Sequence, residues 1–397
     1  MNRAVAVLMF SLFCIGSAEF VIAGLLPGIA DDLDVSIASA GLLVSAYALT
    51  VVLAGPALTL LASGLRRKHV MVALMVLFAL SNLLGALAQD YTVLMVSRVL
   101  SALTHCTFFA LSLVVGTSTV APDRQGSVIA KLAIGLNMAN VLGVPLGVLL
   151  GTEFGWRSVF WALAACGAIS AWLVAVLVPA DRRADPPAGR RAEIRTLGRS
   201  RVLVAVGISA LGCGGTFTAY TYIAPLLEDV SGFPGGAVGP LLLVFGVGTF
   251  AGSVVGGRLV DRALMPALCG LLGALALVLG LFSVLAANPW TAAAGLVLFG
   301  AAFGAILPGL QARVMQAADI KAPTFALAVN IAAMNIGITL GSWLGGRVLE
   351  AGLGLQAVVL TGGAVAAAGF LLAAAELLRD RGRAVARTAD AQSTQGH

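Results

Sequence analysis

Membrane-length apolar stretches recur from one end of this chain to the other, and they restrict it to a bundle of helices. A run of roughly 17 to 25 apolar residues crosses about 30 Å of hydrocarbon as a helix. In lipid every backbone N–H and C=O must find its partner inside the protein, and the alternating pattern of a membrane β-barrel is absent here. Twelve spans are predicted, at 5–27, 38–61, 70–88, 93–117, 128–150, 157–178, 202–226, 237–257, 266–286, 290–314, 322–345 and 354–376. Composition agrees, because only 11% of residues are charged where soluble domains carry about a quarter. The 48 glycines would weaken soluble helices but suit close helix contact in a membrane. The expected fold is all-α and integral to the membrane, with twelve transmembrane helices in two pseudo-symmetric six-helix bundles.

Residues 179–201, PADRRADPPAGRRAEIRTLGRSR, are polar, basic and proline-containing, and they divide the chain into halves of similar length. The organisation predicted is a bundle over 1–178, a cytoplasmic linker over 179–201, a second bundle over 202–376 and a disordered cytoplasmic tail over 377–397. Basic residues test this topology independently of hydropathy. With the N-terminus in the cytoplasm, all 24 Lys and Arg except Arg98, Arg157 and Arg347 fall on or near the cytoplasmic side, while the first outer loop holds Asp31, Asp32 and Asp34. That asymmetry fixes the parity of the spans and puts both termini inside. The net charge of +6 therefore needs no nucleic-acid partner. Five cysteines lie in apolar segments without metal-ligand spacing, so they read as core residues and no metal or cofactor is expected. The first apolar segment reads as a span rather than a signal peptide, being too long and carrying Glu19.

The halves resemble each other. Ile22-Ala-Gly-Leu-Leu26 in span 1 recurs as Ile223-Ala-Pro-Leu-Leu227 in span 7, and Asn137, Gly143 and Gly147 of span 5 have counterparts in Asn335, Gly341 and Gly345 of span 11. Repeats of this kind put a binding site near the bilayer midplane between the halves, which rock to expose it alternately. Glu19 is the acidic residue placed inside a span, and a carboxylate at that depth costs on the order of 2.5 to 3.5 kcal/mol. It lies roughly 12 Å from the outer end of span 1, and Arg98 lies roughly 8 Å from the outer end of span 4. Proximity of the two would make both tolerable, and a proton on Glu19 would then bias the conformation. His105 follows Arg98 by two turns on nearly the same face and suits a proton relay or a satisfied polar position.

Asn137, Asn140, Asn330, Asn335 and Gln311 are candidate cavity hydrogen-bonders or interhelical contacts, and Arg313 is close enough to the cytoplasmic end of span 10 to snorkel. Tyr220 occupies the position equivalent to Glu19 in the second half. With Phe217, Tyr222, Phe108 and Phe109 it could offer aromatic surface to a drug or simply pack. Trp156, Trp161 and Trp290 read as interfacial anchors. Gly143-Val-Pro145-Leu-Gly147 removes one helix donor and supplies two small residues, which predicts a bend with close packing.

The chain resembles the major facilitator superfamily, and within it the twelve-span drug:proton antiporters. The residues that carry the likeness are Ser17-Ala-Glu-Phe-Val-Ile-Ala-Gly-Leu-Leu-Pro27, Arg98-Val-Leu-Ser-Ala102, Gly143-Val-Pro-Leu-Gly147 and Gly155-Trp-Arg157. Similarity to bacterial chloramphenicol-resistance exporters comes through Thr218-Ala-Tyr-Thr-Tyr-Ile-Ala-Pro225, Asp229-Val-Ser-Gly-Phe233 and Val255-Gly-Gly-Arg-Leu-Val-Asp261. The resemblance implies a monomeric, proton-coupled exporter of small drugs in the bacterial cell membrane. It gives spans 1 and 4 a place on the central cavity, and Gly143, Pro145 and Gly147 a role in keeping the occluded core leak-proof. It also implies gating loops, carried here by Arg67 and Lys68 after span 2 and by Asp261 and Arg262 after span 8. Ser63 and Gly64 replace the family's usual charged pair in the first of these loops.

Export of a sugar or nucleoside is the competing carrier reading. A channel would need pore symmetry or a filter loop, and neither is seen. The phosphate loop of an ATP-driven pump is absent, and Glu19 and His105 are not at the spacing of an enzyme site.

Overall fold

The computed structural model describes residues 3–62, 65–120, 125–179, 200–317 and 323–395, and these contain only helices and short turns. Span 1 is Arg3–Phe20 continued by Ile22–Asp32, span 2 is Ile37–Ala62, span 3 is Arg67–Ala86 and span 4 is Tyr91–Ser118. Span 5 runs Gln125–Met138, Ala139–Gly143 and Val144–Phe154, and span 6 is Trp156–Leu177. Span 7 is Ser200–Tyr220 with the extensions Ile223–Pro225 and Leu226–Val230. Span 8 is Gly235–Arg262, span 9 is Leu264–Leu285, span 10 is Pro289–Ala317, span 11 is Pro323–Glu350 and span 12 is Gly354–Gln395. Among the described residues eleven helices are long and apolar enough to cross a membrane, and span 11 runs beside them. Most of the linker, Ser63 and Gly64 lie outside the described residues. Disorder was expected beyond 376, whereas the last helix continues to Gln395. The stretch is rich in Ala and Arg, with Leu and Gln, which favour helix.

Glycine decides how closely the helices pack. In span 8 a Cβ on Gly248, Gly252 or Gly256 would strike the span 10 backbone at Val297, Ala301 and Ala305 in turn. In the opposite direction, Gly300 and Gly304 of span 10 meet the backbone of Phe245 and Thr249. Gly337 and Gly341 of span 11 press on Ala210 and Gly214 of span 7. Each seam repeats at four residues, one helical turn, so small side chains line a single face and let backbones touch. Large apolar side chains face outward instead: Leu53, Phe250, Val284 and Trp290 are all exposed. Such a belt is tolerated because lipid, not water, surrounds it.

The repeat shared by spans 1 and 7 has a structural counterpart, whereas span 11 is one continuous helix where its partner, span 5, is interrupted. Span 1 is interrupted at Val21 and span 7 at Thr221–Tyr222, each just before the shared Ile-Ala-x-Leu-Leu segment. In span 5 the expected disturbance takes the form of a π turn over Ala139–Gly143, immediately before Pro145. Proline offers no N–H to the preceding turn, and the wider turn absorbs the mismatch.

Candidate functional site

The interruption in span 1 creates the site. Backbone bonding there shifts to a tighter pattern, with Gly24 N–H donating to the Val21 carbonyl at 3.0 Å. Arg98 of span 4 donates to the two carbonyls just before the break, Ala18 O at 2.6 Å and Glu19 O at 3.3 Å. A continuous helix would offer those carbonyls to the N–H groups of Ile22 and Ala23. Arg98 is therefore close to Glu19, as predicted, but it grips the backbone rather than the carboxylate. What faces the Glu19 carboxylate is His105, whose Nδ1 lies 3.5 Å from Oε2. All of these groups are buried: Glu19 is 4% exposed, His105 2% and Arg98 0%.

Sequence reasoning missed Tyr47 of span 2, which completes the cluster. Its ring lies under the Arg98 guanidinium, with Cζ 4.4 Å from the centroid. Its hydroxyl is 3.4 Å from His105 Nδ1. No local motif marks it; the signal available was a phenol ten residues into an apolar span, one of four tyrosines in the chain.

Next to Glu19, the ring of Phe20 stands 5.6 Å from Phe217 of span 7, joining the two halves of the chain. Phe217 and Tyr220 continue into an aromatic cluster with Phe245 and Phe303. Phe217 and Tyr220 are thus placed near the charged cluster, while Phe108 is fully buried in the apolar core. Tyr222 takes a different place. Its hydroxyl donates to Ser342 O at 2.9 Å, and its ring occupies a slot against Gly41 of span 2 and Gly345 of span 11. Tyr222 therefore seals the outer side between the halves. Other contacts across the halves also lie toward that side: Ser45 donates to Thr339 O at 3.2 Å, and Gly239 and Gly246 of span 8 abut Leu149 and Val141 of span 5.

Asn137 is exposed, one turn toward the linker side from the Asn140–Val141 backbone that packs on Gly246. Asn335 donates to Ile331 O at 3.0 Å, and its Oδ1, like that of Asn330, is buried without a partner. Gly143 packs on Ser17 and Gly147 on Val21, so the motif with Pro145 between them clamps span 5 onto the interrupted part of span 1. Arg67 and Lys68 are half-buried at the start of span 3, and Asp261 and Arg262 are exposed at the end of span 8.

Two expectations need correction. Arg313 does not snorkel: it is buried, with its Nη2 paired to Glu376 Oε1 and Nε donating to Oε2 at 3.2 Å. Span 12 brings that carboxylate within reach, so the charge is neutralised inside the protein. Trp156 is buried rather than interfacial, and its indole N–H donates to Asp32 at 3.2 Å beside Arg157.

A model of the Major Facilitator Superfamily matches residues 8–320. The chain belongs to that superfamily. It is 40% identical over 371 residues to the inner membrane transport protein YdhP of Escherichia coli K12, covering 94% of this chain and 95% of the relative. Identity to a chloramphenicol resistance protein of Streptomyces lividans is 35% over 341 residues, covering 84% and 86%. A probable sugar efflux transporter of Mannheimia succiniciproducens is 30% identical over 373 residues, covering 93% of each chain. The molecule is thus a multi-pass secondary transporter of the inner membrane and not an enzyme.

Proposed function

We propose that this superfamily member exports a small, largely apolar compound in exchange for protons, with Glu19 as the proton-carrying group. The observation that carries the reading is the pairing of Glu19 with His105 rather than with a permanent cation. A carboxylate held by a guanidinium stays ionised, whereas one facing an imidazole can gain and lose a proton. Arg98 directs its N–H donors to backbone carbonyls and acts on the Glu19 carboxylate by charge alone, without a direct salt bridge. Glu19 is joined through its neighbour Phe20 to the aromatic contact between the halves, so a change of charge is felt where a substrate would sit. Two six-helix bundles, 1–178 and 202–376, would rock about that contact in a functional monomer.

The aromatic cluster and the 35% identical chloramphenicol resistance protein favour an aromatic, uncharged drug. A sugar remains the second reading, supported by the buried free carbonyl oxygens of Asn330 and Asn335 and by the sugar-efflux relative. Drug susceptibility of an efflux-deficient host, with and without this protein, across amphenicols and sugar analogues, separates the two. Proteoliposomes with an imposed pH gradient test the coupling. Glu19→Gln should abolish proton-driven transport while leaving substrate exchange, and undiminished proton-driven transport in that variant would overturn the reading.

A further inference from the structure

We propose that Tyr47 is a positioning residue for proton exchange between Glu19 and His105, a role that rests on the proton-coupled reading above. Three helices meet at this point: Glu19 comes from span 1, Tyr47 from span 2, and Arg98 and His105 from span 4. One imidazole nitrogen, Nδ1, faces both the Tyr47 hydroxyl at 3.4 Å and the Glu19 carboxylate at 3.5 Å. A single nitrogen holds either one proton or one lone pair. The hydroxyl and the carboxylate therefore compete for it, and the tyrosine sets how readily the imidazole takes a proton from Glu19.

The same ring fixes the cation. With Arg98 4.4 Å above it and the imidazole in an edge-type contact at 6.1 Å between centroids, Tyr47 touches both guanidinium and imidazole. The titratable groups facing Tyr47 are Glu19 from span 1 and Arg98, His105 and Cys106 from span 4. From span 11 the apolar Ile331 packs, with Cys106, against the cluster of Tyr47, Val51 and Ala102. Because Ile331 belongs to the second half, this cluster lies where the two halves meet.

The test separates hydroxyl from ring. Tyr47→Phe keeps the seat for Arg98 and removes only the hydroxyl, whereas Tyr47→Leu removes both. Proton-driven transport by full-length protein in proteoliposomes, measured with the substrate identified in the host assay, is followed against pH alongside Glu19→Gln. With Glu19→Gln uncoupled, Tyr47→Phe is expected to move the pH of half-maximal transport by about half a unit or more, the size of one hydrogen bond. Tyr47→Leu is expected to lose coupled transport at least tenfold. A Tyr47→Phe profile superimposable on that of the unaltered protein, with Glu19→Gln uncoupled, overturns the positioning role alone. Full coupling in Glu19→Gln overturns the proton-carrier reading and this role with it. A purely structural tyrosine would change yield or thermal stability in Tyr47→Phe without moving the profile.

Discussion

Arg98 illustrates how one side chain can serve two ends of the same problem. Its branches donate to Ala18 O and Glu19 O, and its face rests on Tyr47, so backbone, ring and charge are satisfied in geometry only a planar guanidinium supplies. Its Nε is buried without a hydrogen-bond partner, a cost the other contacts offset. Lysine keeps the charge but not the fork. Hydrogen bonds to charged groups contribute about 1.5–3 kcal/mol each, and about 1.4 kcal/mol is a factor of ten. Arg98→Lys is therefore expected to reduce proton-driven transport more than tenfold and to lower the melting temperature of the purified protein. Unchanged transport and melting would mean that the interrupted turn of span 1 does not depend on those donors.

Among the elements, the seam between spans 8 and 10 makes the most demanding use of glycine, and it carries its own control. A methyl group on Gly252 would enter the Ala301 backbone, whereas one on Gly257, five residues further along the same helix, meets nothing within 4 Å. Gly252→Ala must push two backbones apart, which costs about 1–3 kcal/mol. Gly257→Ala removes only the glycine penalty and is worth up to about 1 kcal/mol in stability. Thermal unfolding in detergent should thus move in opposite directions for the two variants; equal shifts would disprove the close-packed seam. The sequence makes the helices and their order legible because hydropathy and the charge map are local properties. It also points to Glu19, His105 and Arg98, since a polar group in an apolar run stands out. Partners across helices are not legible in that way. Arg313 and Glu376 are 63 residues apart, and only packing of span 12 on the rest of the bundle brings them together. Tyr222 reads as aromatic surface until its slot between Gly41 and Gly345 is seen.

For the whole molecule, the positions of these cross-half contacts define which side is shut. Tyr222, Ser45 with Thr339, and Gly239 with Leu149 close the side opposite the linker. Toward the linker side, Asn137 is exposed one turn beyond the Asn140–Val141 backbone that packs on Gly246. A rocking pair of bundles in this arrangement admits solutes from the side where the basic residues gather. Cysteine labelling reads this directly once the five native cysteines are replaced. Asn137→Cys should react with a membrane-impermeant maleimide applied to inverted vesicles and resist it in intact cells, and Ser45→Cys should resist it from outside. Driving the transporter with a proton gradient and substrate populates the opposite arrangement, in which Ser45→Cys gains and Asn137→Cys loses reactivity. Ser45→Cys labelling from outside at the unaltered rate, with or without the gradient, would mean that these contacts are not the outer closure.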